Sequence, residues 1–243
     1  VDAQTVYAVP HDMWVPGFDS EGVAVLRLWK AQSPGFDMEA FNKGDYTSAM
    51  AANSANEAIS KVLYPNDNHT QGKSLRLKQQ YFLVSASISD IMRRHITSFG
   101  TLDNFAEKNA VQINDTHPTL AIPELMRVLL DDCGYEWEAA WKIVSDTFAY
   151  TNHTVMAEAL EKWDENIFRT LLPRIYQIVI EIDRRFCEEL QALHYDQSDI
   201  DRMRVLYDHE VRMANLAVIG SHSVNGVSKL HSQIIKDSVF NDY

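Results

Sequence analysis

The stretch Val111-Gln-Ile-Asn-Asp-Thr-His-Pro118 decides the fold, because an apolar run stops there at a dense polar cluster. It is echoed downstream by Ala149-Tyr-Thr-Asn-His-Thr154. Val111 and Ile113 read as the last residues of a short buried strand, and a helix is expected to open at about Thr119–Pro123. The polar cluster is then the C-terminal mouth of that strand. In open α/β sheets such mouths are where ligands bind. Asn, Asp and Thr also cap helices and turns, so a capping role stands beside the ligand-binding one. A central His in each of two similar clusters is what points to chemistry.

Working outward, Thr5–Val9 and Val23–Trp29 read as the strands of a hairpin, with Pro10–Gly22 as the turn and Arg27 facing away from Leu26 and Leu28. Tyr46–Val62 is a helix with a stripe of small residues (Ala49, Ala51, Ala52, Ala55, Ala58), either a packing face or a subunit contact. Leu63–Gly72 is a third polar cluster, in which Pro65 and the run Asn66, Asp67, Asn68 favour turn geometry. Leu77, Tyr81, Val84, Ile88 and Ile91 then mark one face of a long helix, about Ser74–His95. Arg93 and Arg94 fall in its last turn, where cations complement the helix dipole; paired arginines also hold anions.

Thr119–Asp131, Trp137–Phe148 and Thr154–Trp163 are expected as helices, and a long helix is expected from Leu171 to about Leu193. Asp196–Asp201 reads as a polar break, Met213–Ile219 as strand or helix start, and Gly220–Gly226 as irregular. Val227–Val239 is expected to be a helix with Leu230, Ile234 and Ile235 inward. His11, His95, His194 and His209 read as surface residues; His222 and His231 read as packing or helix-end residues. Helix dominates with a few strands, an α/β chain.

The 243 residues are 46% hydrophobic, enough for a substantial core, and the formal charge of −12 argues against nucleic acid or an anionic membrane as partner. Cys133 and Cys187 show no disulfide or metal spacing and suit a reducing cytosol. No apolar run reaches the length of a membrane span. The chain opens inside a strand-like segment and ends just past a helical pattern, so a piece of a longer polypeptide is expected.

Nine words in order give a resemblance: Arg27-Leu-Trp, Val62-Leu-Tyr-Pro-Asn-Asp-Asn68, Leu75-Arg-Leu-Lys-Gln-Gln-Tyr-Phe82, Asn114-Asp-Thr-His-Pro118, Ile122-Pro-Glu-Leu-Met-Arg127, Tyr150-Thr-Asn-His-Thr154, Glu158-Ala-Leu-Glu161, Leu171-Leu-Pro-Arg174 and Val224-Asn-Gly-Val227. Together they resemble a central segment of an α-glucan phosphorylase (glycogen, starch or maltodextrin phosphorylase). Asn68-His-Thr-Gln-Gly72 is more similar to bacterial maltodextrin phosphorylases. The resemblance implies a Rossmann-like, GT-B type N-terminal domain of which residues 1–243 are a single fragment, truncated at both ends. It implies phosphorolysis of terminal α-1,4-glucosidic bonds to glucose 1-phosphate, in a cytoplasmic homodimer contacting through helix 46–62.

The resemblance also implies roles. His153 meets the glucosyl 6-hydroxyl, and with Asp115 forms the catalytic pair; Asn68 and Asp115 lie around the sugar hydroxyls, and His117 on the glucan side. Tyr64 stacks on a sugar ring, Thr154, Ala159 and Val227 line the pocket, Asn66 and Asp67 form a gate, and Arg93 and Arg94 match an effector-phosphate pair. Pyridoxal phosphate is implied as cofactor, but the attachment segment Gly-Thr-Gly-Asn-Met-Lys does not occur in this chain. Ala157 and Ile175 stand where the family pattern has Pro and His. A different class of reading is a non-catalytic glucan-binding or dimerisation module. A metal site at Asp115, His117 and His153 is disfavoured by the lack of helical His spacing and the Asn/Thr surroundings.

Overall fold

The computed structural model describes residues 4–243, the side chains of Ala52 and Ala157 excepted. The chain divides into two compact units, Val1–Ala86 and Ser87–Tyr243. The Ala157 departure from the family pattern therefore falls outside the described side chains.

In the first unit, β1 (Tyr7–Pro16) and β2 (Val23–Gln32) form an antiparallel ribbon. The turn is shorter than expected. The ladder runs up to the Pro16–Val23 pair, and Gly17 N–H closes the turn on the Gly22 carbonyl at 2.8 Å. Pro10 sits inside β1, which a two-stranded ribbon tolerates because each strand is an edge. Arg27 makes a bidentate pair with Asp12 directly across the ladder, both bonds 2.7 Å. Next come α1 (Met38–Asn42) and α2 (Tyr46–Ala58), both N-capped by aspartates, Asp37 and Asp45. Ala49 and Asn56 are the buried side of α2, while Tyr46 and Met50 are more than half exposed.

Helix α3 (Thr70–Phe99) starts and ends about a turn beyond the expected limits and continues into the second unit. There follow α4 (Phe105–Lys108), β3 (Val111–Asn114), α5 (Ala121–Arg127), which runs on through a wide turn over Val128–Asp132, and α6 (Trp137–Thr147). Beyond α6 lie β4 (Phe148–Asn152), β5 (Lys162–Asp164), α7 (Glu165–Leu171), α8 (Pro173–Ala192) and α9 (Gln197–Met203). The chain closes with β6 (Leu206–Tyr207), β7 (Glu210–Arg212), α10 (Met213–Ile219), β8 (Ser223–Gly226) and α11 (Lys229–Ile234).

Two small sheets organise this unit: parallel β3-β4-β8, and antiparallel β5-β7-β6. The buried face of the parallel sheet carries Ile113, Phe148 and Tyr150, all within 1% of full burial. α5 is buried along its whole length except Arg127 and packs on α6 and α8. Leu190 and Cys187 of α8 meet Ile200 and Met203 of α9 in a compact apolar cluster.

Several expectations are corrected here. Thr154–Trp163 is a loop with one 3₁₀ turn ending in β5, because Trp163 pairs with Val211 rather than continuing a helix. Asp196–Asp201 is no break: Asp196 accepts the Asp199 N–H and caps α9. The irregular Gly220–Gly226 contains β8, the third strand of the parallel sheet. On α11 it is His231 that turns inward, while Leu230 is 72% exposed and Ile234 is exposed; Ile235, just past the helix, is buried as expected. His95 is buried, between Asn104 at 3.0 Å and Asn109 at 2.9 Å.

Candidate functional site

The C-terminal ends of β3, β4 and β8 lie side by side, so the two polar clusters that decided the fold meet at one sheet edge. Strand alternation puts Gln112 and Asn114 on the same face as Thr151, His153 and Asn225, opposite the buried Ile113 and Tyr150. On that face Gln112 donates to Thr151 Oγ1 at 2.8 Å and to Asn225 Oδ1 at 3.4 Å, and Thr151 Oγ1 donates to Asn225 Oδ1 at 3.2 Å. Two residues further along, His153 Nε2 lies 2.6 Å from Asn114 Oδ1. The ring itself is exposed.

Asp115 follows with φ +64°, a left-handed backbone that Asp adopts more readily than most residues. Its N–H donates to the Thr151 carbonyl at 2.9 Å, extending the ladder one residue past the strand. Its carboxylate accepts the Thr116 N–H at 2.7 Å. His117 sits two residues on, partly buried, between Asp115 and the start of α5.

Beneath His153 the support is buried. Asn152 is fully buried, donates to the Tyr150 hydroxyl at 3.0 Å and accepts the Thr154 N–H at 2.9 Å. Burial pushes the Tyr150 hydroxyl well above the usual tyrosine range, so it stays neutral. His231, at the start of α11, ties the third strand end to this loop: Val227 N–H donates to its Nδ1 at 3.1 Å, and its Nε2 is 3.4 Å from the Thr154 carbonyl. Gly226 is needed here, because a Cβ would stand 2.8 Å from Ser232 N and 2.9 Å from the His231 ring.

His153, Asp115, Thr154 and Val227 are thus gathered at one end of one sheet. Ala159 is exposed, in the 3₁₀ turn Ala157–Ala159 beyond Thr154. Arg93 and Arg94 are on α3 and both reach Asp90, at 2.8 and 3.0 Å. Asn114 and His231 are the contributors that the sequence left out of the site. His231 matched the expected packing role, but its partners are the site's own backbone.

The remaining candidates belong to the first unit. Tyr64 is exposed with φ +53°, Asn66 accepts the Asn68 N–H at 2.9 Å, and Asp67 pairs with Arg76 at 2.5 Å. The Arg76 guanidinium, which also lies 5.9 Å from the Tyr64 ring centre, holds the Asp67 carboxyl below the usual range. Gly72 lets α3 start against this loop, since a Cβ there would fall 1.9 Å from the Asn66 carbonyl oxygen.

The site's donors and acceptors are carboxamides, a carboxylate, hydroxyls and imidazoles. That set suits a polyhydroxylated ligand, in which each hydroxyl both donates and accepts. Asn114, Asp115, His153 and Thr154 offer no fixed cation for a phosphate group, so they do not fit the phosphate of pyridoxal phosphate. Among the described residues no three His, Cys, Asp or Glu side chains are grouped to hold a metal ion. No helix among them is long and apolar enough to cross a membrane.

Comparison with known proteins decides the family: the carbohydrate phosphorylase model matches residues 1–243. The chain belongs to the carbohydrate phosphorylase family. It is 47% identical over 258 residues to the muscle form of glycogen phosphorylase from Ovis aries, and 47% over 258 residues to the brain form from Homo sapiens. It is 48% identical over 250 residues to glycogen phosphorylase from Chlamydia pneumoniae. Each match covers 100% of this chain and 30% of the relative, so the chain spans about a third of the length of these carbohydrate phosphorylases.

Proposed function

We propose that this chain is a segment of an α-1,4-glucan phosphorylase, supplying sugar-binding loops to an enzyme that transfers a terminal glucosyl unit from maltodextrin or glycogen to inorganic phosphate. The observation that supports it most is the meeting of the Asn114–His117 and His153–Thr154 clusters at one sheet end, in a chain of the carbohydrate phosphorylase family.

In this reading His153 and Asp115 hold hydroxyls of the reacting glucosyl ring as it acquires oxocarbenium character. Such contacts raise the rate only insofar as they strengthen in the transition state. Thr154, Ala159 and Val227 shape the wall, and His117 faces the glucan. Within the first unit, Tyr64 is assigned to stacking on a sugar ring, Asn68 to sugar hydroxyls, and Asn66 and Asp67 to a gate. Pyridoxal phosphate, in the full-length enzyme, supplies phosphate-group chemistry from an attachment point outside this chain. An anionic effector at Arg93 and Arg94 would share them with Asp90. Both units are assigned to a GT-B type N-terminal domain of a cytoplasmic homodimer, with the exposed Tyr46 and Met50 of α2 at the subunit contact.

The test uses the full-length protein with maltoheptaose and inorganic phosphate. Glucose 1-phosphate should be released, and His153→Ala should lower kcat/KM by about 2 kcal/mol, roughly 30-fold, as for a lost transition-state contact. Unchanged kinetics would remove His153 from the mechanism. Calorimetry of full-length protein with maltoheptaose addresses the binding-module reading: heat without phosphorolysis would favour it.

A further inference from the structure

An exposed histidine ring ordinarily exchanges between its two neutral tautomers, and between two ring orientations, with little preference. His153 is exposed, yet its Nε2 is 2.6 Å from Asn114 Oδ1. A carboxamide oxygen has no proton to give. With the Asn114 carboxamide oxygen facing the ring, as placed here, Nε2 donates, and in the neutral imidazole the lone pair is left on Nδ1.

Asn114 can impose this because its backbone is held. It is the last residue of β3, in register with Thr151, and the next N–H, that of Asp115, is fixed on the Thr151 carbonyl at 2.9 Å. One step back on the same face, Gln112 bridges to Thr151 and Asn225. On the other side, the chain around His153 is fixed by Asn152 on the Thr154 N–H and by His231 at the Thr154 carbonyl. Two anchored strands thus present one carboxamide and one imidazole to each other.

We propose that Asn114 is a positioning residue that holds His153 as the Nε2–H tautomer, so that Nδ1 serves as a hydrogen-bond acceptor for a ligand hydroxyl. The proposal rests on the sugar-binding reading above for the identity of that hydroxyl, and it adds a direction: the ligand donates and His153 accepts. A group at the same place that accepts but cannot donate, such as fluorine, is then refused. Specificity for a hydroxyl is set by a residue that need not touch it.

The experiment uses the full-length protein with ¹⁵N-labelled histidine, the His153 ring signals being assigned by their loss in His153→Gln. At a pH where the ring is neutral, Nε2 should carry the proton and Nδ1 the lone pair; a proton on Nδ1 overturns the proposal. In maltoheptaose phosphorolysis, Asn114→Leu, of similar size but without an acceptor, should lower kcat/KM about tenfold, the scale of one neutral hydrogen bond. Added to His153→Ala, it should cost nothing further, because Asn114 acts only through His153. Additive losses overturn the proposal. Asn114→Ala, which removes the acceptor without adding bulk, repeats the cycle if the leucine does not fold. Glucose competition adds a last readout: wild type should bind one monofluoro glucose about tenfold more weakly than glucose, and Asn114→Leu should lose that discrimination. If the ring carries its proton as expected but no glucose 1-phosphate is released, the functional reading fails and the tautomer assignment stands.

Discussion

Gly226→Ala separates the support of the site from the site itself. The added methyl would stand 2.8 Å from the backbone nitrogen of Ser232 and 2.9 Å from two atoms of the His231 ring. Backbone cannot rotate away as a side chain can, so the start of α11 must move. Two hydrogen bonds depend on its position: Gly226 N–H to Ser232 Oγ at 2.9 Å and Val227 N–H to His231 Nδ1 at 3.1 Å. Losing both costs about 0.5–1.5 kcal/mol each, and overpacking adds about 1–3 kcal/mol. A local destabilisation of about 2–6 kcal/mol follows, which at 1.4 kcal/mol per tenfold is at least a 25-fold rise in amide exchange over residues 223–234. Hydrogen exchange of the full-length protein, read by mass spectrometry, measures it. Gly220→Ala is the control: the atoms nearest its methyl are those of the Ile122 side chain, Cδ1 and Cγ2 at 2.7 Å, and Ile122→Ala would remove both. Unchanged exchange over residues 223–234 in Gly226→Ala would refute the account of how β8 and α11 are joined.

The remaining predictions concern pH and the carboxylate beside the strand end. Arg184 first, then Arg185, hold Glu181 down at about 2 from an ordinary 4.5. A depressed carboxyl stabilises above its unfolded pKa, so this contribution is present above pH 4.5 and is lost as pH falls toward 2. Glu181→Gln should flatten that part of the acid unfolding curve, and an unaltered curve would count against the pair. Burial first, then Asp103 and Glu165 respectively, push Tyr135 and Tyr176 up to about 12 from 10. Raised phenols stabilise below pH 10, and that stability goes as pH rises from 10 to 12; Tyr176→Phe should lessen the alkaline loss seen by circular dichroism. At Asp115, φ +64° and carboxylate chemistry can be separated. Asn tolerates the left-handed backbone, whereas Ala incurs about 1–2 kcal/mol there. Asp115→Asn should leave melting unchanged and lower phosphorolysis, whereas Asp115→Ala should lower both. Full activity in the Asn variant would show that the charge is not needed.

What could be read from the sequence follows from which interactions are local. The face Leu77, Tyr81, Val84, Ile88, Ile91 defines α3, and carrying the same spacing four residues further reaches His95, buried against Asn104 and Asn109. The signal for that histidine was present, and the expectation of a surface residue came from its polarity. β3 was visible because it ends an apolar run at a polar cluster; β4 was marked only by the similar cluster at Thr151–Thr154, and its first residue, Phe148, reads as the end of the preceding helix. β8 was not, because Ser223-Val-Asn-Gly226 has no strand-forming run and is extended only through its ladder with β4, some 74 residues away in sequence. The same holds for Lys162–Asp164, whose strand character comes from pairing with Glu210–Arg212. On α11, apolarity put Leu230 and Ile234 inward, but the tether from His231 to Val227 N–H and the Thr154 carbonyl sets the rotation of the helix. A polar anchor thus overrode the hydrophobic pattern where the chain closes on the site. Asn114 was visible as the first residue of its polar cluster, but its bond to His153, 39 residues further along the chain, was not, because spacing within one strand carries no trace of it.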